Sequence, residues 1–230
     1  MNTCVAVHGS GAGGWYWDDV APLIEKRGYD IIVVDQLPSI GTDPEALGDL
    51  YADAAYVRDV VDAVDGPVCL VGHSYGGVVI TELADHPAVR HSIYVAGYWP
   101  ERGQSVADML GDDLPEYVAV HDDGTFGFTD DLDAVRQALF ADIDKERAAA
   151  IHRRLLPQSL SALATPSTAP ERTHPTTFVI TEHDQLFPPA AQEAMAQRAD
   201  HVVRLPTSHT PMFSAPEELA SIIVSTLDDD

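Results

Sequence analysis

Apolar positions along the chain fall into two alternating rhythms. Short unbroken runs at 4–7, 31–34, 68–71, 92–96, 177–181 and 201–205 predict strands. Between them the spacing becomes helical. Trp17, Val20, Leu23 and Ile24 lead to Gly28, and from Pro44 a long helix carries Leu47, Leu50, Ala54, Val57, Val61 and Val64 up to Gly66-Pro67. Further helices are expected at 76–85 and 189–198. A last one carries Leu219, Ile222, Ile223 and Leu227, entered through Ser214-Ala215-Pro216-Glu217, which has capping-box spacing.

Strands separated by helices imply an α/β class with a mostly parallel six-stranded sheet covered by helices on both faces. The β-branched run at 31–34 reads as a strand buried on both faces. The rhythm stops between 97 and 175, where no strand pattern is evident. There Thr129 is placed to cap a helix carrying Leu132, Val135, Leu139 and Ile143, and a second helix carries Ala148, Ile151 and Leu155 before Pro157. The expected organisation is a core of 1–97 and 175–230 with a helical lid inserted at 98–174. Such a lid would lie over the carboxyl ends of the strands, where open α/β sheets bind ligands.

Gly72-His73-Ser74-Tyr75-Gly76-Gly77 fits G-x-S-x-G between an apolar strand and a helix. That turn lifts a serine hydroxyl above the sheet, and its glycines admit neighbouring backbone. A serine needs a base, and the base needs a carboxylate that fixes its tautomer. His209 follows the last strand in a loop before a helix, and Asp184 follows the strand at 177–181, giving the chain order Ser, Asp, His. Glu182 competes locally with Asp184, and Glu101 more distantly; His183 adjoins the acid, while His91, His152 and His201 read as core or surface residues.

The first loop, Gly9-Ser10-Gly11-Ala12-Gly13-Gly14, has two readings. It fits G-x-G-x-x-G, with Asp35 where a dinucleotide-binding unit keeps its ribose acid, so a NAD-dependent oxidoreductase is a rival. Trp15-Tyr16-Trp17 weighs against this, because bulky aromatics stand where a phosphate-binding helix should open. The other reading is an oxyanion hole formed by the N–H groups of Ser10 and Tyr75. Gly9, Trp15, His73 and Thr210 are then expected to contact substrate.

Charge narrows the field. With 13 basic and 37 acidic residues the net charge is −24, which repels nucleic acid and anionic membranes. No apolar run reaches the roughly 18–20 residues of a membrane span. The N-terminal residues lack a basic stretch followed by an apolar one, and Cys4 and Cys69 read as buried thiols, so a cytoplasmic location is expected. There is no H-x-x-x-H or C-x-x-C spacing, and neither a metal nor a cofactor is expected. A homodimer is compatible with the sequence.

Three motifs carry a family resemblance. They are His8-Gly9 with Trp15-x-Trp17, Gly72-His73-Ser74-x-Gly76-Gly77, and Ser208-His209-x-Pro211-Met212-Phe213-Ser214-x-Pro216-Glu217. Together they resemble the branch of the α/β-hydrolases that holds plant methyl esterases, hydroxynitrile lyases and small bacterial esterases. The resemblance covers 1–97 and 175–230. It implies a serine esterase acting on a small or medium ester or lactone through an acyl-enzyme on Ser74, with His209 as base, Asp184 as acid, and Ser10 and Tyr75 as oxyanion donors. Cleavage of a C–C bond or a cyanohydrin is the alternative on this scaffold, and a non-catalytic ligand receptor is the alternative outside catalysis. In the lyases of this branch a lysine follows the catalytic histidine; here that position is Thr210.

Overall fold

A computed structural model describes residues 3–111 and 115–229. The chain opens with β1 (Thr3–Val7), a 3-10 turn (Gly14–Trp17), α1 (Ala21–Glu25), β2 (Asp30–Val33), α2 (Leu50–Asp62), β3 (Val68–His73), α3 (Tyr75–Thr81) and β4 (Val89–Val95). An insertion follows, with α4 (Val106–Leu110), β5 (Val118–Val120), β6 (Thr125–Phe128), α5 (Leu132–Leu139), α6 (Lys145–His152), β7 (Gln158–Ser159) and α7 (Leu160–Ala164). The alternation then resumes with β8 (Thr176–Thr181), α8 (Pro189–Ala196), β9 (His201–Leu205), α9 (Pro211–Ser214) and α10 (Pro216–Asp229).

The main sheet has six strands in the order β2-β1-β3-β4-β8-β9, and every pairing is parallel. Two apolar clusters flank it. One joins Cys4, Trp17, Ile24, Val71 and Ile223, and the other joins Val5, Leu50, Val57, Leu70 and Ile80. Alternate residues of β1 and β3 enter opposite clusters, as the two-residue period of a strand requires.

Four local expectations need correction. The strand at 31–34 is not buried on both faces: β2 is an edge strand, Ile31 and Val33 pack against the core, and Ile32 is 36% exposed. The helix expected from Pro44 begins only at Leu50. Pro44–Ala46 is a 3-10 turn, and the Asp49 carboxylate caps α2 by accepting from Tyr51 N and Ala52 N, both at 3.0 Å. Ser214 does not cap α10; it ends α9, and its buried Oγ has no partner.

The fourth concerns the insertion, which is not purely helical. β5, β6 and β7 form a three-stranded antiparallel sheet. Its strands are too short to print a two-residue period, and β7 has only two residues. The helices at 132 and 145 do form, each opened by an aspartate. Asp131 caps α5 and Asp144 caps α6, whereas the Thr129 hydroxyl donates to Glu116 O.

Candidate active site

Ser74 stands between β3 and α3 with φ 53° and ψ −120°. This is a left-handed region that a residue with a Cβ enters only at a cost of order 1–3 kcal/mol. Surrounding hydrogen bonds hold it there: Ser74 N donates to Val95 O at 3.1 Å, and Ser74 O accepts from Gly77 N at 2.9 Å and Tyr98 N at 3.0 Å. The turn is so tight that a Cβ on Gly72 would lie 2.6 Å from Gly76 O, and one on Gly76 would lie 2.6 Å from Val7 O. Tyr75 is the first residue of α3, so its N–H has no acceptor within the helix and is available to a ligand.

His209 lies in the loop between β9 and α9, and its Nδ1 is 2.7 Å from Asp184 Oδ2 with both side chains buried. Four other donors fill the carboxylate. Leu186 N and Phe187 N reach Oδ1 at 3.0 and 2.8 Å, while Thr181 Oγ1 and Gln192 Nε2 reach Oδ2 at 2.8 and 3.0 Å. A carboxylate so occupied accepts a proton bond from Nδ1 and leaves the Nε2 lone pair open. Glu182 and Glu101 are both exposed and take no part in this arrangement.

His73 supports the same loop. It is buried, and its Nε2 donates to His209 O at 2.9 Å. Burial, followed by the proximity of His209, holds its pKa well below the usual imidazole value, so the ring is neutral. The two rings lie with centroids 4.8 Å apart. The residues on either side of His209 are tied to the insertion. Ser208 N donates to Asp142 Oδ2 at 2.7 Å, Ser208 Oγ donates to the other Asp142 oxygen, and Thr210 Oγ1 donates to Leu139 O at 2.8 Å.

Ser74, Tyr75, His209, Gly9, Ser10 and His73 meet in one cavity of about 260 Å³. Two other expected contacts do not reach it. Thr210 is fully buried with its hydroxyl turned to Leu139. Trp15 faces a separate outer hollow, where the Arg154 guanidinium sits 4.1 Å from its ring centre. The 3-10 turn explains this, since it sends Tyr16 to the cavity and Trp15 to the outside. Tyr16 from the core, with Tyr98, Tyr117, Phe126, Phe128 and Leu163 from the insertion, are lining residues that sequence reasoning missed. Tyr16 at least lay within the aromatic triplet after the first loop.

Residues 4–222 match the α/β-hydrolase family. The chain belongs to that family. It is 28% identical to a carbendazim-hydrolysing esterase of Nocardioides sp. over 96% of this chain and 97% of the relative. It is 27% identical to a pyrethroid hydrolase of Sphingobium wenxiniae over 97% and 87% of the two chains. The crystal structure of a pyrethroid hydrolase from Sphingobium faniae superposes with a TM-score of 0.85 at 26% identity, over 99% of this chain and 97% of that one. The Arabidopsis methylesterase MES16 shares the fold, with a TM-score of 0.81 at 20% identity over the whole of both chains.

Within this α/β-hydrolase the glycine-rich first loop does not have the geometry of a dinucleotide site. Gly14–Trp17 is a four-residue 3-10 turn rather than a helix that could face a pyrophosphate. The insertion covers the loop: Leu156 N donates to Gly11 O at 2.8 Å, and a Cβ on Gly11 would lie 3.3 Å from the Phe128 ring. Asp35 is exposed and borders the outer hollow. Among the described residues no group of three His, Cys, Asp or Glu side chains is placed to hold a metal ion, and no helix is long and apolar enough to cross a membrane.

Proposed function

We propose that this α/β-hydrolase is a carboxylic ester hydrolase that works through an acyl-enzyme on Ser74. The observation that carries the reading is a serine on a strained elbow sharing a cavity with His209, whose Nδ1 is locked on the buried Asp184. Ser74 Oγ attacks the ester carbonyl while His209 Nε2 takes its proton. The N–H groups of Ser10 and Tyr75 hold the oxyanion. Protonated His209, stabilised by Asp184, returns the proton to the leaving alcohol, and water releases the acid by the same steps.

The lining supports a neutral, largely apolar ester or lactone. Among the described residues no Lys, Arg, Asp or Glu lines the cavity, so a charged substrate would lose its hydration without a partner. The curated relatives named above are esterases and hydrolases of carbendazim and pyrethroids, which fits this reading. Cyanohydrin cleavage is disfavoured on related grounds: among the described residues no Lys or Arg lines the cavity to stabilise a departing cyanide, and the residue after His209 is a threonine bonded to Leu139.

A fluorophosphonate probe should label Ser74, and p-nitrophenyl esters, methyl esters or lactones should be turned over while mandelonitrile is not. Equal labelling of Ser74→Ala would remove the nucleophile. Rapid cyanide release with no ester or lactone turnover would reassign the reaction.

A further inference from the structure

The proposed mechanism leaves one buried carboxylate unused. Asp53, on α2, is fully buried, and its hydrogen-bond partners include no Lys, Arg or His side chain. Its Oδ1 accepts from Ser39 N at 2.8 Å, and its Oδ2 accepts from Ser39 Oγ at 2.6 Å and from the Tyr75 phenol at 2.7 Å. Ser39 carries the connection into the insertion. Its Oγ accepts from Gln158 Nε2 at 3.0 Å, and its carbonyl accepts from Ser159 N at 2.9 Å. One carboxylate thus joins α2, the first residue of α3 and, through Ser39, the strand β7.

Stability alone does not account for this cluster. A carboxylate buried without a cation is costly, and apolar groups of the same shape would fill the space as well or better. Burial pushes the Asp53 carboxyl up to about 6. Apolar packing lacks direction, and three donors converging on one carboxylate supply it. The phenol that Asp53 holds belongs to the residue whose backbone N–H is the proposed oxyanion donor, one position after Ser74. An oxyanion donor acts only when preorganised toward the developing charge, and small displacements are expensive in rate.

We propose that Asp53 is a positioning residue that holds the Tyr75 N–H on the oxyanion and links it to the docking of β7 in the insertion. This rests on the hydrolase reading above. The acid acts through the Tyr75 side chain and touches no substrate.

The test is a double-mutant cycle on the best p-nitrophenyl ester, with kcat referred to titrated active sites. Asp53→Asn and Tyr75→Phe should each lower kcat by roughly ten- to a hundredfold with KM nearly unchanged. The double variant should be no slower than the slower single one, since both remove the same link. Affinity for a trifluoromethyl ketone, which forms the tetrahedral adduct, should fall in parallel. Tyr75→Phe removes one oxygen and keeps the core volume, so it carries the test alone if Asp53→Asn does not fold. Unchanged kcat in Tyr75→Phe, additive losses, or a lower Tm with full kcat per active site would overturn the proposal. A wild-type chain that turns over no ester and does not label at Ser74 would defeat the hydrolase reading, and this inference with it. An active wild type with equally active variants would defeat the positioning role alone.

Discussion

The core and the insertion between β4 and β8 contribute to the cavity in different ways. From the core come the polar atoms of the proposed reaction: Ser74 Oγ, the His209 ring, and the N–H groups of Ser10 and Tyr75. The insertion contributes an apolar wall that includes Tyr117, Phe126, Phe128 and Leu163. The structural supports differ as well. The strands of the core are paired in one parallel sheet, so the loops at their carboxyl ends are held by long-range contacts. The insertion consists of short elements, several opened by their own side-chain caps at Asp131, Asp144 and Ser159. The difference separates chemistry, which needs rigid placement, from selectivity, which needs only shape and polarity. Polar links between the two regions include Asp142 with Ser208, Thr210 with the Leu139 carbonyl, and Gln158 with Ser39.

The sharpest test of this division is the loss of reacting groups. Ser74→Ala or His209→Ala should reduce kcat by at least about a thousandfold, and Asp184→Asn by a similar factor because the imidazole would then hold the wrong tautomer. Combining them should cost little more than the worst single change. A comparable loss from truncating one apolar residue of the insertion would break the comparison, and steady-state kinetics on titrated enzyme would reveal it.

The next effect lies at the seam. The Asp53 carboxyl has a pKa of about 6 in the folded chain against an ordinary 3.8. Between those values the folded chain binds a proton that the unfolded chain has lost. Its contribution to stability is therefore highest below about pH 4 and declines as pH rises through 6, by roughly 3 kcal/mol at most. Urea unfolding of wild type and Asp53→Asn from pH 4 to 7 should show the wild type losing stability relative to the variant. A pH-independent difference would mean that Asp53 is not held in the costly state described.

The two regions also differed in how far the sequence revealed them. The strand expected at 201–205 coincides with β9, and the serine turn was found because strand, glycines and helix are contiguous. Asp184 and His209 could be chosen from their places after strands, since the ends of parallel strands converge. The edge position of β2 was hidden, because strand order is a property of the sheet and not of the run 31–34. Trp15 and Thr210 failed for a related reason. Which way each side chain turns depends on the 3-10 turn that carries Trp15 and on the Leu139 carbonyl that holds Thr210, neither of which a single position reveals. The antiparallel sheet there pairs β6 with β7 across some thirty positions, and two- to four-residue strands leave no periodic trace.

The link between Asp142 and Ser208 tests whether the insertion acts on chemistry through bracing. Asp142→Ala removes the acceptor of Ser208 N and the nearer acceptor of Ser208 Oγ, leaving the loop beside His209 with the bonds of Ser208 Oγ and Thr210 to the Leu139 carbonyl and with His73. A drop in kcat of about tenfold with KM little changed is expected, as for a base displaced by a fraction of an ångström. Asp142→Asn, which keeps an acceptor oxygen, should recover part of that loss. An effect on KM alone would assign Asp142 to the wall and not to the base.

The smallest effect should come from the wall itself. Leu163 lies on α7, half-buried, and borders the cavity without a hydrogen bond to any reacting group. Leu163→Ala removes apolar contact from the part of the substrate that leans on the insertion. A fully buried leucine is worth about 1.5–3 kcal/mol, and a half-buried one correspondingly less, so about 1 kcal/mol is the expected scale. That energy is felt equally in the bound substrate and in the transition state, so it should raise KM and leave kcat in place. Only an acyl chain long enough to touch α7 feels it. The ratio of KM for a p-nitrophenyl hexanoate to KM for the acetate should therefore rise by roughly three- to fivefold, with kcat for both esters close to wild type. An equal change for both esters would point to a general disturbance of the cavity. A fall in kcat would show that α7 braces Ser74 or His209, and the separation of chemistry from selectivity between the two regions would not hold.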